Sequence, residues 1–271
     1  ALERRPMSRR GGENVHRVHA EAAAPGADLP AFAKDWALFL DVDGTLLDLA
    51  EHPRSVQVEP GLIEALGRLQ ILSGGAVALI SGRTIRDLDR LFAPLCLAAA
   101  GQHGAERRHA NGIVELERSR ADGFAREALV SLAAQHPDLL FEDKGATLAM
   151  HYRRAPQLQS LVESTLGAIA RRSRGEWTLQ TGKMVRELVP HGKNKGGAIA
   201  AFLHEPPFAD RTAVFIGDDD TDEHGFTLVR KLGGHTIKVG SEPSVAQCRI
   251  ADASGVRVWL GAYANWLERD A

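Results

Sequence analysis

Trp36-Ala-Leu-Phe-Leu-Asp41-Val-Asp43-Gly-Thr45 decides the fold. Five apolar residues without alternation run directly into two acids at i and i+2, then a glycine. A strand apolar on both sides must be covered on both, which is how strands of a parallel sheet between helical layers look. The same shape recurs where Ala76–Ile80 runs into Ser81-Gly-Arg83, Leu95–Ala100 into Gly101-Gln-His-Gly104, and Thr212–Ile216 into Gly217-Asp-Asp-Asp220. Between them lie stripes of helical period. Pro60 suits a first turn and is followed by Leu62, Ile63, Leu66 and Leu69. Ile85, Leu88 and Phe92 form a second stripe, Ile199, Phe202 and Leu203 a third, and Phe226, Val229 and Leu232 a fourth. Strand–helix alternation of this kind predicts an α/β protein with a doubly wound, Rossmann-like parallel-sheet core.

Residues 107–189 break the rhythm. A strand is expected at Ile113–Leu116, a helix through Phe124, Leu129 and Leu132, and a strand at Thr147–Tyr152. A helical stripe from Leu158 to Ile169 and two strands, Trp177–Gln180 and Met184–Val189, follow. The order β-α-β-α-β-β predicts an inserted α+β domain, a cap, between two halves of the core at 31–106 and 190–271. Residues 1–30 carry five Arg and two Glu within their first 20 positions, then an Ala/Pro/Gly stretch, and read as a flexible extension.

The 271 residues carry 33 Lys and Arg against 35 Asp and Glu, a net charge of −2. That balance argues against a protein that works by wrapping nucleic acid. Two cysteines, Cys96 and Cys248, make no disulfide framework, which points to a reducing, cytoplasmic setting. No apolar run approaches the roughly 20 residues that span a bilayer, so no membrane role is expected. With only 6% aromatic residues, an extended carbohydrate-stacking surface is also unlike this chain.

In an open α/β sheet the reactive crevice lies beyond the carboxyl ends of the strands. Asp41 and Asp43 stand there, and so do Asp218, Asp219, Asp220, Asp222 and Glu223. Like charges this close repel unless a cation lies between them, and an all-oxygen donor set points to Mg²⁺. A carboxylate beside such an ion can attack phosphorus and form an aspartyl phosphate. Lys195, at a helix start, supplies positive charge for the phosphoryl oxygens. Ser81 and the amide of Gly82, at an expected helix start, supply hydrogen-bond donors. Asp43 is placed to act as general acid and then general base.

Asp41-x-Asp-Gly-Thr45, Ser81, Lys195 and Gly217-Asp-Asp219 together resemble the four motifs of the haloacid dehalogenase superfamily of phosphatases. Longer stretches, Leu79-Ile-Ser-Gly-Arg83, Gly101-Gln-His-Gly-Ala-Glu-Arg-Arg108, His151-Tyr-Arg153 and Gly217-Asp-Asp-Asp-Thr-Asp-Glu223, resemble the bacterial trehalose-6-phosphate phosphatases within it. The resemblance runs from about Trp36 to Leu260. It implies a haloacid dehalogenase-like core and Mg²⁺-dependent hydrolysis of trehalose 6-phosphate. Asp41 would be the nucleophile and a metal ligand, Asp43 the acid/base and a ligand through its carbonyl, and Asp218 the third ligand. Asp219 and Asp222 would be outer or alternate ligands. For the substrate it implies Gly82 and Arg83, with Glu142, Lys144, Arg153, Lys183 and Glu187 in the cap and His103 at its junction with the core. Arg186 stands where the family usually has an apolar residue.

Two other functions stay open at this level. One is a different sugar phosphatase or a phosphohexomutase on the same core; the other is a catalytically silent sugar-phosphate binding module. The intact set Asp41, Asp43, Ser81, Lys195 and Asp218 argues for chemistry. A monomer acting on a small-molecule substrate is the expectation.

Overall fold

The structure, a computed structural model, describes residues 29–49, 58–117 and 122–270. In chain order β1 (Trp36–Leu40), α1 (Pro60–Leu72), β2 (Val77–Ile80), α2 (Ile85–Phe92) and β3 (Ala98–Gly101) come first. They are followed by β4 (Glu106–Arg108), β5 (Val114–Leu116), α3 (Asp122–Gln135), β6 (Leu140–Asp143) and β7 (Leu148–His151). Next are α4 (Gln159–Arg172), β8 (Trp177–Gly182), β9 (Val185–Pro190), α5 (Lys195–Phe202) and β10 (Thr212–Gly217). The chain closes with α6 (Glu223–Lys231), β11 (His235–Val239), β12 (Cys248–Ile250) and α7 (Ala253–Arg269).

Eight strands form one sheet in the order β12-β11-β10-β1-β2-β3-β4-β5, parallel as far as β3 and antiparallel beyond it. The uniformly apolar β1 sits near its middle, between β10 and β2, and feeds both layers. Trp36, Leu38 and Leu40 pack with residues of α1, α2 and α7, while Ala37 and Phe39 pack with residues of α5 and α6. From β1 the chain moves outward on one side through β2 and β3. It later returns to β10 on the other side and moves outward again to β12. The direction of winding reverses between β1 and β10, and that reversal opens a crevice at their carboxyl ends.

Four strands form a second, antiparallel sheet in the order β6-β7-β9-β8. One face carries α3 and α4, whose Leu129, Val162, Leu166 and Ile169 bury against Leu148, Met150, Trp177 and Leu188. The other face looks toward the crevice.

Several expectations are corrected. The boundary expected at residue 107 falls inside β4, and β4 and β5 pair with the large sheet, so the segment up to Leu116 extends the core. An additional strand, β6, has only Leu140 and Phe141 as apolar residues before two acids and shows Leu140 half exposed, which is why hydrophobic pattern passed over it. The third strand begins at Ala98 and not Leu95, and Leu232 lies just past α6 with 58% exposure. Arg186 lies on the helical side of the small sheet, where it donates to the Tyr152 hydroxyl at 2.7 Å. The expected extension falls outside the described residues apart from its last two. Among the described residues no helix is long and apolar enough to cross a membrane.

Leu166 is fully buried between α4 and the small sheet. Leu166→Ala should therefore cost about 2–5 kcal/mol of stability in urea unfolding followed by circular dichroism.

Candidate active site

The turn after β1 is tight. Leu46 N donates to Val42 O at 3.0 Å and Gly44 N to Leu47 O at 2.7 Å, which turns the Asp41 and Asp43 segment back over the strand end. Gly44 has φ +88, and a Cβ there would lie 2.1 Å from Asp218 Oδ2. Only glycine lets the two acidic loops approach so closely. Gly217 does the same within the second loop, where a Cβ would meet Asp222 Cγ at 2.3 Å.

Lys195 is the centre of charge. Asn194 caps α5 by accepting from Gly197 N at 2.9 Å, so Lys195 leaves the first turn pointing into the crevice. Its Nζ donates to Asp41 Oδ1 and Asp222 Oδ1, both at 2.7 Å, with Asp219 Oδ1 at 3.8 Å. Burial alone would strip its proton, but the carboxylates of Asp222, Asp41 and Asp219 outweigh burial and hold its pKa well above the usual value. Burial pushes Asp41 up to about 7 against the pull of Lys195, with Asp218 and Asp219 adding to the rise.

The acidic carboxylates are not equivalent. Asp222 is fully buried; its Oδ2 accepts from the amides of Asp218 at 2.9 Å and Asp219 at 3.0 Å, so both its oxygens are engaged. Asp219 accepts from Thr221 N and Oγ1. Asp218 Oδ2 accepts from Lys183 Nζ at 2.7 Å, an ammonium delivered by the small sheet. Asp41 Oδ2 and Asp218 Oδ1 are buried with no hydrogen-bond partner among the described residues. Oxygens of Asp41, Asp218 and Asp222 lie within 4.8 Å of one another, so the donor set fits a hard divalent cation, with Asp41 and Asp218 offering the free atoms. A buried carboxylate oxygen without a partner is costly, and a cation removes that cost.

Ser81 and Asp43 flank this cluster. Ser81 is buried at the end of β2, its N–H donating to Ala100 O and its Oγ accepting from Arg83 N. Helix α2 starts later than expected, with Thr84 as its cap, so residues 81–83 form a loop and not a helix N-terminus. Arg83 grips the Asp43 carboxylate with two contacts, Nε to Oδ2 at 2.6 Å and Nη2 to Oδ1 at 2.5 Å.

The small sheet contributes the opposite wall. Glu187 accepts from Thr147 Oγ1 at 2.6 Å and Lys144 Nζ at 3.0 Å, and its other oxygen meets His103 Nε2 at 3.0 Å. Burial would raise the Glu187 pKa, yet Lys144 and His103 hold it well below the carboxylate range. Lys144 also donates to the carbonyl of Gly82 at 2.9 Å, and Glu142 pairs with His151 at 2.8 Å. Arg153 lies at the exposed edge. All the residues predicted for the site line one cleft of about 280 Å³, except Asp222, which is sealed beneath Lys195. That volume is on the scale of a small-molecule pocket.

Sequence reasoning missed Gln102, Thr147, His151, Gln180 and Lys238. Gln102 has φ 49, and its Oε1 accepts from the amides of Ala146 and Thr147, joining the large sheet to the small one. Lys238 donates to the carbonyl of Asp218 and is 2% exposed. A lysine inside the apolar strand His235-Thr-Ile-Lys-Val239 was a usable signal for it, and Gln102 and His151 stand inside the family-like stretches Gly101–Arg108 and His151–Arg153; Thr147 and Gln180 gave none.

The reversed winding, the Asp41/Asp43 turn, the buried lysine and the second acidic loop define a haloacid dehalogenase-like hydrolase. A solved hydrolase of that kind from Bacteroides thetaiotaomicron shares the fold at a TM-score of 0.59 and 15% identity, over 86% of this chain and 98% of that one. The chain belongs to the trehalose-phosphatase family, whose profile matches residues 39–254. It is 43% identical over 245 residues to the trehalose-6-phosphate phosphatase of Escherichia coli (strain K12), covering 87% of this chain and 89% of that protein. A Sinorhizobium fredii (strain NBRC 101917 / NGR234) protein named "Probable trehalose-phosphate phosphatase" is 48% identical over 228 residues, 82% of this chain and 86% of its own. A crystal structure of a trehalose-6-phosphate phosphatase related protein superposes at a TM-score of 0.72 with 26% identity, over 86% of this chain and 99% of that one.

Gly44→Ala should push the Asp218 carboxylate aside. Its Mg²⁺ affinity, measured by isothermal titration calorimetry, is expected to fall at least about tenfold, as when a ligand loses its support.

Proposed function

We propose that this chain hydrolyses trehalose 6-phosphate to trehalose and phosphate through an aspartyl phosphate on Asp41. The observation that carries the reading is the arrangement at Asp41. One carboxylate oxygen is fixed by Lys195 and the other is left buried and unpartnered, in a chain of the trehalose-phosphatase family.

Asp41 and Asp218 would hold Mg²⁺, with Asp43 contributing its carbonyl, and the ion would supply the positive charge that lets a carboxylate and a phosphate dianion meet. Lys195 orients Asp41 for attack on phosphorus and compensates charge on the phosphoryl oxygens. Ser81 and the amide of Gly82 donate to the same oxygens. Asp43 gives its proton to the departing sugar oxygen, then takes one from the water that cleaves the aspartyl phosphate. The Arg83–Asp43 pair opens for this, because a phosphate dianion offers the guanidinium a stronger partner than the carboxylate does.

The small-sheet unit acts as a cap. Glu142, Lys144, Arg153, Lys183, Glu187 and His103 present charged and hydrogen-bonding groups to a polyhydroxylated leaving group, whose hydroxyls both donate and accept. Cap closure excludes water while the acyl phosphate forms.

Asp41→Asn should lower phosphate release by about 10⁴-fold or more while leaving the thermal unfolding profile cooperative. Substantial residual Mg²⁺-dependent turnover would remove Asp41 as the nucleophile. With the unaltered protein, a phosphate-release panel of trehalose 6-phosphate, sucrose 6-phosphate and glucose 6-phosphate should favour the first. EDTA should abolish that activity and added Mg²⁺ restore it. Preference for a monosaccharide phosphate would overturn the substrate.

A further inference from the structure

The crevice-facing side of the small sheet is organised in cross-strand rows. By register, Glu142 on β6 lies opposite Ala149 on β7, Ala149 opposite Glu187 on β9, and Glu187 opposite Gln180 on β8. Residues directly opposite in adjacent strands share a face, so these four side chains form one line across the sheet. The adjacent row on the same face brings Leu140 and Val185 to the cleft wall.

Three members of the polar line are accounted for. Glu142 has His151, Glu187 has His103, Lys144 and Thr147, and Ala149 leaves a notch between the two glutamates. Gln180 is different. It lines the cleft at 8% exposure, and its Oε1 is buried without a hydrogen-bond partner among the described residues. Buried amide carbonyls are rarely left so, because the lost hydrogen bonds to water go uncompensated. Of the other cleft-lining residues, Asp41 and Asp218 also carry unpartnered buried oxygens, and those two atoms are explained by the cation the phosphate end requires. The Gln180 oxygen lies on the other wall and has no such explanation.

We propose that Gln180 is a specificity-determining residue that recognises the sugar of the substrate. Its amide accepts from one ring hydroxyl and donates to its neighbour, while Leu140 and Val185 face the apolar C–H surface of the ring. A side-chain amide sets an acceptor oxygen beside a nitrogen with two donor hydrogens, which matches a pair of vicinal hydroxyls. The assignment rests on the sugar-phosphatase reading above and adds to it a residue that discriminates the leaving group without touching phosphorus.

The test compares the full-length protein with Gln180→Met, which keeps the unbranched shape and removes the amide. Kinetics are measured with trehalose 6-phosphate and with p-nitrophenyl phosphate, an ester whose leaving group has no hydroxyl pair. KM for trehalose 6-phosphate should rise about tenfold, with kcat for that substrate and kcat/KM for the aryl ester each within about twofold of wild type. An unmoved KM for trehalose 6-phosphate, or an equal fall in kcat/KM for both substrates, overturns the assignment, the second outcome by showing a merely structural role. Wild-type protein without preference for trehalose 6-phosphate over the aryl ester overturns the sugar-phosphatase reading, and this assignment with it. Normal wild-type preference with an unmoved variant overturns the assignment alone.

Discussion

One buried ammonium organises this molecule. Lys195 touches Asp41 from the end of β1 and Asp222 from the loop after β10, two segments far apart in sequence. Both carboxylates and the lysine are almost wholly withdrawn from water, so none could stay charged alone. The site is nevertheless not neutralised by this one cation. Asp218 takes Lys183 from the small sheet at one oxygen and leaves the other buried without a partner among the described residues, and the carbonyl of the same residue is held by Lys238. The acidic edge is therefore held by lysines from α5, β11 and the turn after β8, which commits three parts of the fold to one small volume.

That commitment explains why the core was so legible. Trp36 to Leu40 could be read as a two-sided strand because alternate residues do enter different helical layers. The acids after it could not be structural, since buried like charges demand a cation. Asp41, Asp43, Ser81, Lys195, Asp218 and Asp219 line the crevice and Asp222 lies beneath them, whereas Asp220 is exposed and Glu223 turns away to accept from Val245 N.

Other features were silent for physical reasons. Strand β6 is an edge strand whose crevice-facing positions, Leu140 and Glu142, serve the site and not a core, so its sequence lacks alternation. The hairpin of β4 and β5 was assigned to the insertion because its short strands, Glu-Arg-Arg and Val-Glu-Leu, carry no apolar run that ties them to β3. Gln102 and Gln180 are uncharged amides, and neither hydropathy nor charge pattern marks an amide that bonds across to another sheet, as Gln102 does, or one left buried without a partner, as Gln180 is. Arg186 interrupts an apolar pattern, yet its guanidinium is accommodated by the Tyr152 hydroxyl on the helical side and leaves Glu187 facing the crevice.

Gln102 and His103 occupy left-handed backbone, with φ of 49 and 57, a conformation side chains other than glycine adopt at some cost. Their amides bond to Arg83 O and Ser81 O, while the Gln102 side chain receives Ala146 and Thr147 from the small sheet. The same two residues thus grip the loop after β2 and the first turn of the opposite wall. Separating the walls means releasing several short, directional bonds together, not stretching them one at a time. The loop that carries Ser81 and Arg83 is thereby tied to the turn before β7 through a single pair of residues.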